Sequence, residues 1–242
     1  MRRRFFVEGF QNGRAVMAGE AAHHLGHVLR AHTGQLLELS DGQSVWLAEV
    51  EKVARERIEF KLVDRLPAQV SATDIILLLS IVKFDAFEWA LEKATELGVG
   101  RIMPIAAERS EKALLKAAPK RADRWKKILL GASEQSRRVR APSLGNLTEP
   151  EQAFSSAQAE IKLLLSERQD APPMKSILEG KFPSSVALAI GPEGGWSDPE
   201  LSQAERAGFL QASMGSLILR TETAVIAALA NLNYSLSRMN VP

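Results

Sequence analysis

Val186-Ala187-Leu188-Ala189-Ile190-Gly191-Pro192-Glu193-Gly194-Gly195 is the stretch that decides the fold class. Its apolar residues run without polar alternation into a turn of glycines and one proline. A strand with one wet face alternates apolar and polar side chains, so an unbroken apolar run reads as a strand buried on both faces, the situation of a parallel sheet. Ligands of such sheets sit beyond the carboxyl ends of the strands. A second stretch, Met214-Gly215-Ser216-Leu217-Ile218-Leu219-Arg220-Thr221-Glu222-Thr223-Ala224, also sets an apolar run beside a glycine and a polar turn. Two such turns predict one shared ligand pocket.

Around these stretches the chain alternates strand and helix texture, the pattern of an α/β domain. Residues 75–82 read as a strand, 86–97 as a helix closed by Gly98, and 102–105 as a second strand. A basic helix is expected over 120–137 and a strand over 161–165. Ser197 or Asp198 caps the next helix, with Pro199 in its first turn. Residues 217–219 read as a short strand, and from Thr221 a helix carries apolar Val225, Ile226, Leu229, Leu232 and Leu236.

The N-terminal part has another texture. Short alternating runs at 3–7, 36–40, 45–50 and 58–63, punctuated by Asn12-Gly13 and Asp41-Gly42, predict a small antiparallel β barrel or sandwich. Residues 66–73 read as a linker, which places one domain at 1–70 and another at 74–242.

Composition narrows the function. At 242 residues, 45% hydrophobic and 25% charged, the chain has the make-up of a soluble globular protein. No run approaches the ~18 apolar residues of a membrane span, and MRRRFFVEGF turns polar too early for a signal peptide, so a cytoplasmic location is expected. Without cysteine there is no disulfide, thiolate nucleophile or cysteine-ligated metal. Net charge is only +2, but residues 116–140 hold nine Lys/Arg against Asp123 and Glu134, a local +7 that leaves −5 elsewhere. Such a stretch is either a solvated helix face or a phosphate-binding surface.

No G-x-x-x-x-G-K-[ST] loop exists, and GPEGG lacks dinucleotide spacing, so nucleotide hydrolysis is unexpected. Gly191, Gly194 and Gly195 suit a backbone that approaches a ligand closely, or else a plain strand-to-helix turn. Arg220 and Glu222 bring a cation and an anion to the start of the last helix, where the macrodipole favours the glutamate and Thr221 or Thr223 can cap. His23 and His27 lie at i,i+4, a spacing able to bind zinc, but without H-E-x-x-H no metal is expected. Lys93 with Glu96, and Glu134 with Arg138, fit helix-surface pairs, and Trp89 and Trp125 fit the core.

Taken in order, several motifs resemble the SPOUT class of S-adenosylmethionine-dependent RNA methyltransferases, and within it the bacterial family that methylates N3 of a uridine in 16S ribosomal RNA. They are His23-His24 with Val28-Leu29-Arg30; Lys83; Glu92-Lys93-Ala94-Thr95-Glu96-Leu97-Gly98-Val99; Glu108-Arg109-Ser110; Glu134-Gln135-Ser136 with Arg138; GPEGG; and Leu219-Arg220-Thr221-Glu222-Thr223-Ala224. One departure is Leu217, where that family often carries arginine.

The resemblance implies a C-terminal trefoil-knot domain, a PUA-like RNA-binding barrel in front of it, and a homodimer. It implies a methyl-donor site formed by Leu165, Ile190, Gly191, Pro192, Glu193, Gly195, Met214, Gly215, Leu219, Thr221 and Ala224. Ala224, Ala227, Ala228 and Ala230 would let a second protomer approach the last helix. Arg220 is the first candidate to stabilise a uracil anion, with Arg138 or Arg109 next and Glu222 as proton acceptor. Arg30, Arg109, Lys120, Arg121, Lys127 and Arg138 are the RNA-contact candidates, with 16S RNA or the small ribosomal subunit as partner. A methyltransferase for another nucleotide and a non-catalytic RNA-binding protein are the rival readings.

Overall fold

The computed structural model describes residues 3–68 and 72–236. Gln69, Val70 and Ser71, the middle of the expected linker, lie outside the described residues. The chain forms two compact units, one of Met1–Val70 with Ser133–Ala141, the other of Ser71–Ala132 with Pro142–Pro242.

The first unit contains β1 (Arg4–Phe6), β2 (Phe10–Gln11), β3 (Arg14–Ala18), α1 (Gly19–His23), a π-helical turn (His24–Val28), β4 (Leu36–Ser40), β5 (Val45–Ala54) and β6 (Arg57–Leu66). The strands form one sheet in the order β1-β4-β5-β6-β3-β2. All its pairs are antiparallel except β1 with β4, a departure from the wholly antiparallel expectation. Period-two alternation explains the core: Ile58 and Phe60 on β6 are fully buried while Arg57 and Lys61 are exposed. They pack with Phe5, Leu25, Leu39 and Val50.

The second unit holds β7 (Asp74–Ser80), α2 (Phe84–Glu96), β8 (Arg101–Ile105), α3 (Lys112–Ala117), a 3₁₀ turn (Ala118–Arg121), α4 (Ala122–Gln135), β9 (Ser143–Leu144), α5 (Pro150–Ser156), β10 (Ile161–Leu165), α6 (Met174–Leu178), β11 (Ser185–Ile190), α7 (Asp198–Arg206), β12 (Leu210–Ala212) and α8 (Thr221–Leu236). The last residues of α4, from Ser133, belong to the first unit. The sheet order is β12-β10-β11-β7-β8-β9, and every pair is parallel. Ile75, Leu77, Leu79, Val186, Leu188 and Ile190 point to one face, under α2, α4, α6 and α8. Ile76, Leu78, Ala187 and Ala189 point to the other, under α5 and α7. Both faces are covered, which is why these strands lack polar alternation.

Four expectations need correction. Residues 217–219 form no strand, because the strand here is β12, which pairs with β10 through Leu163–Leu165. The basic helix is not continuous from Lys120: Pro119 sits in a 3₁₀ turn that divides α3 from α4. Arg137, with φ of 55°, ends that helix in a left-handed cap, with Arg138 N–H donating to the Ser133 carbonyl at 2.9 Å, so Arg138 lies outside the helix. Trp125 is buried against Phe87, but Trp89 is 45% exposed.

Candidate functional site

The carboxyl ends of β10, β11 and β12 lie side by side, and a cavity of about 400 Å³ opens above them, within the range of small-molecule sites. Leu165, Ile190 and Ala212, the last residues of the three strands, form its floor. The loops that follow them form its walls: 166–168, the glycine turn, and 213–219.

Each end of the glycine turn is anchored by a side chain. Thr221, buried at the start of α8, donates its hydroxyl to the Gly191 carbonyl at 3.1 Å. Arg109, on the loop after β8, donates Nη1 to the Gly194 carbonyl at 2.8 Å. Within the turn Gly195 N–H returns to the Pro192 carbonyl at 2.8 Å.

Of the three glycines only Gly195 needs left-handed backbone, with φ of 68°. Gly191 and Gly194 are small for a different reason: a Cβ at 191 would stand 3.1 Å from the Trp196 indole, and one at 194 would stand 3.2 Å from the Arg109 stem. Two of the glycines therefore make room for the protein's own side chains. The Trp196 indole N–H in turn donates to the Leu165 carbonyl at 3.2 Å, joining the loop after β11 to the end of β10.

Of the sequence-expected cofactor residues, Leu165, Ile190, Gly191, Pro192, Gly195, Met214, Gly215, Leu219, Thr221 and Ala224 line this one cavity. Exposed Glu193 is not among the lining residues, and neither are Arg220 and Glu222, although Leu219, Thr221 and Ala224 around them are. Sequence reading missed Trp196, Arg168 and Asp198, which also line it, the last two as an ion pair at its rim. The signal for Trp196 was its place directly after the glycines.

The basic candidates divide. Lys120 and Lys127 are exposed, whereas Arg121 donates to buried Glu88 at 2.9 Å and stacks its guanidinium 4.3 Å over the Phe84 ring. Arg124 holds the same carboxylate at 2.8 Å. Burial pushes Glu88 up, but its Arg124 and Arg121 hydrogen bonds outweigh that and hold it below the ordinary carboxylate value. Arg121 thus carries a fold-building role.

Arg30 and Arg138 belong to the first unit. Arg30 is exposed with φ of 54°, closing the π-helical turn where glycine would be unstrained. His23 and His27 stack their rings at 4.6 Å, and among the described residues no group of three metal-ligating side chains occurs. On the second segment of the same unit, Glu134 is raised to about 7 by burial, which the charge of Arg3 only partly offsets. Lys93 bonds both Glu92 and Glu96 on α2. Ala224 and Ala228 are buried in their own unit's core, so of the four alanines expected to meet a second protomer only Ala227 and Ala230 retain exposure.

Residues 69–233 match the model of an RNA methyltransferase domain, and residues 18–63 that of an RNA methyltransferase PUA domain. The chain is 33% identical to a ribosomal RNA small subunit methyltransferase E of Synechocystis, over 87% of this chain and 70% of that one. It is 29% identical to the protein of the same name in Bacillus subtilis, covering 90% and 89%. Its structure is similar to that of a ribosomal RNA small subunit methyltransferase E from Neisseria gonorrhoeae bound to S-adenosyl methionine, with a TM-score of 0.87, 30% identity, and 97% and 98% of the two chains covered. A putative methyltransferase from Legionella pneumophila, in complex with the same cofactor, gives a TM-score of 0.87 at 32% identity with the same coverage.

Proposed function

Because the chain belongs to the RNA methyltransferase family, we propose that it methylates N3 of one uridine in 16S ribosomal RNA. It is an S-adenosylmethionine-dependent methyltransferase of small-subunit ribosomal RNA. The observation that carries this reading is the cavity beyond β10, β11 and β12, walled by the two glycine-bearing turns. Its residues fit the donor: apolar Leu165, Ile190, Leu219 and Ala224 suit an adenine face, while the backbone of the two turns offers polar groups at close range. When bound, S-adenosylmethionine supplies a methyl group activated on a sulfonium.

Uridine N3 sits in an imide whose N–H must be lost before it can be alkylated. Arg220 faces the base and stabilises the anion on the uracil oxygens, a role supported by its exposure between cavity-lining Leu219 and Thr221. Glu222, half-buried one residue beyond Thr221, takes the proton. N3 lies on the pairing edge, so the target is unpaired or flipped out. Exposed Arg30, Lys120 and Lys127 contact phosphate, and Arg109 and Arg138 serve substrate.

The reading includes three further parts. The 213–220 loop threads the glycine turn as a trefoil knot, for which the Thr221 to Gly191 bond is the supporting contact. The protein is a homodimer, because Leu217 and Ile218 at the pocket rim are 80% and 78% exposed and need cover. It works in the cytoplasm, and among the described residues no helix is long and apolar enough to cross a membrane.

The test is mass spectrometry of digested 16S RNA from a strain lacking the gene, complemented with wild type or Arg220→Ala. Loss of one N3-methyluridine, restored by wild type only, is expected. Loss of another modification would reassign the target, and no loss would leave a binding protein.

A further inference from the structure

Buried carboxylates need compensation, and Glu200, 4% exposed, receives it from two directions. One oxygen accepts the Ser197 N–H at 2.8 Å, the usual reach of a third helical residue back to its cap. The other accepts the Glu108 N–H, also at 2.8 Å, from a loop 92 residues away in the chain. Capping α7 explains the first bond and leaves the second without a purpose.

The second bond closes a circuit. Glu108 precedes Arg109, and Arg109 reaches the Gly194 carbonyl, three residues before Ser197. Glu200 therefore joins the base of the glycine turn to the loop whose arginine holds the tip of that turn. Charge-assisted bonds are about twice as strong as neutral ones, and this one carboxylate makes two. Glu200 itself is not among the cavity-lining residues.

We propose that Glu200 is a positioning residue for the methyl-donor site: through the Glu108 N–H it fixes Arg109, and through Arg109 it fixes the Gly194 carbonyl at the cavity wall. The inference rests on the reading of the cavity as the S-adenosylmethionine site.

Two substitutions open the joint from opposite sides. Glu200→Gln preserves shape but turns one acceptor into a donor, which then faces an amide N–H. Glu108→Pro deletes the other partner while leaving Glu200 intact. Proline fits there, because Ser110 N–H donates to the Ala107 carbonyl at 2.9 Å and makes Glu108 the second residue of a β-turn, a favoured proline position.

Calorimetry with S-adenosylmethionine reads the result, and Gln203→Gly, in the body of α7, supplies a helix-weakening control. Wild type must bind; if it does not, the cavity assignment fails and not the clamp. Both variants should weaken binding about tenfold or more, while Gln203→Gly lowers Tm and leaves Kd within twofold. Arg109→Met should weaken binding too, and combined with Glu108→Pro it should cost no more than the worse single change. A Glu108→Pro protein with wild-type Kd, or factors that multiply in the double variant, would overturn the proposal even where Glu200→Gln fails to fold.

Discussion

Thr221→Val isolates one hydroxyl. The side chain is 3% exposed at the start of α8, and its hydroxyl makes the 3.1 Å bond to the Gly191 carbonyl. Valine has nearly the same volume and the same β-branching, so packing and rotamer freedom barely change. What disappears is one neutral hydrogen bond, worth about 0.5–1.5 kcal/mol net. The larger penalty for an orphaned buried group does not apply, since Gly191 is only half-buried and water can replace the donor. If the bond holds the turn in its binding shape, S-adenosylmethionine Kd should rise roughly 2- to 12-fold in calorimetry. Thr221→Ser keeps the hydroxyl and should bind nearly as wild type; Thr223→Val, at an exposed position, should be silent. A Thr221→Val protein with unchanged Kd would refute the claim that α8 anchors the glycine turn.

Glu134 gives a pH signature. The folded chain keeps a proton up to about 7 that the unfolded chain releases near 4.5, so the carboxyl's contribution to stability is whole below 4.5 and lost as pH rises through 7. Between pH 5 and 8 the Tm of wild type should fall relative to that of Glu134→Gln, and parallel curves would exclude the effect. Lys120→Ala with Lys127→Ala should weaken RNA binding and reduce its salt slope by roughly 0.7–0.9 per lost phosphate contact. Arg121→Ala should instead lower Tm, because it strips a partner from buried Glu88; equal slopes for wild type and the double lysine variant would move the RNA surface elsewhere. Leu217→Asp with Ile218→Asp should convert a sedimenting dimer to monomer, and a monomeric wild type with full activity would remove the shared-interface reading.

Where the sequence was legible, one physical signal dominated. The unbroken apolar runs of β7 and β11 read as strands covered on both faces, and Ser197 or Asp198 with Pro199 marks the start of α7. Alternation located β4 and β6. Where it was illegible, contact decided. Leu210–Ala212 has too few residues to signal a strand and becomes one by pairing with β10, whereas Leu217 and Ile218 have strand-like side chains but remain exposed. The pocket followed from glycines and strand ends, but the partners of those glycines did not. Nothing in the spacing of Arg109 and Gly194, 85 residues apart, announces that they bond. Arg121 shows the converse: its charge was visible, and its engagement with Glu88 was not.

The first unit is made from two separated lengths of chain, and this governs the order in which it can be completed during synthesis. Buried Arg4 bonds Glu38 within the first segment, but it also donates to the Arg137 carbonyl, as the Ser40 hydroxyl does to that of Val139. Those acceptors are translated some 70 residues after the first segment ends at Val70. At about 5–20 residues per second, the nascent sheet waits roughly 4–14 s with Arg4 and Ser40 lacking these partners. In that interval β7 and β8 emerge while α5 and α7, which cover one of their two faces, are still to be made. A fragment ending near residue 70 would stay in that waiting state, and any exchange of this unit between proteins has to carry residues 133–141 with it.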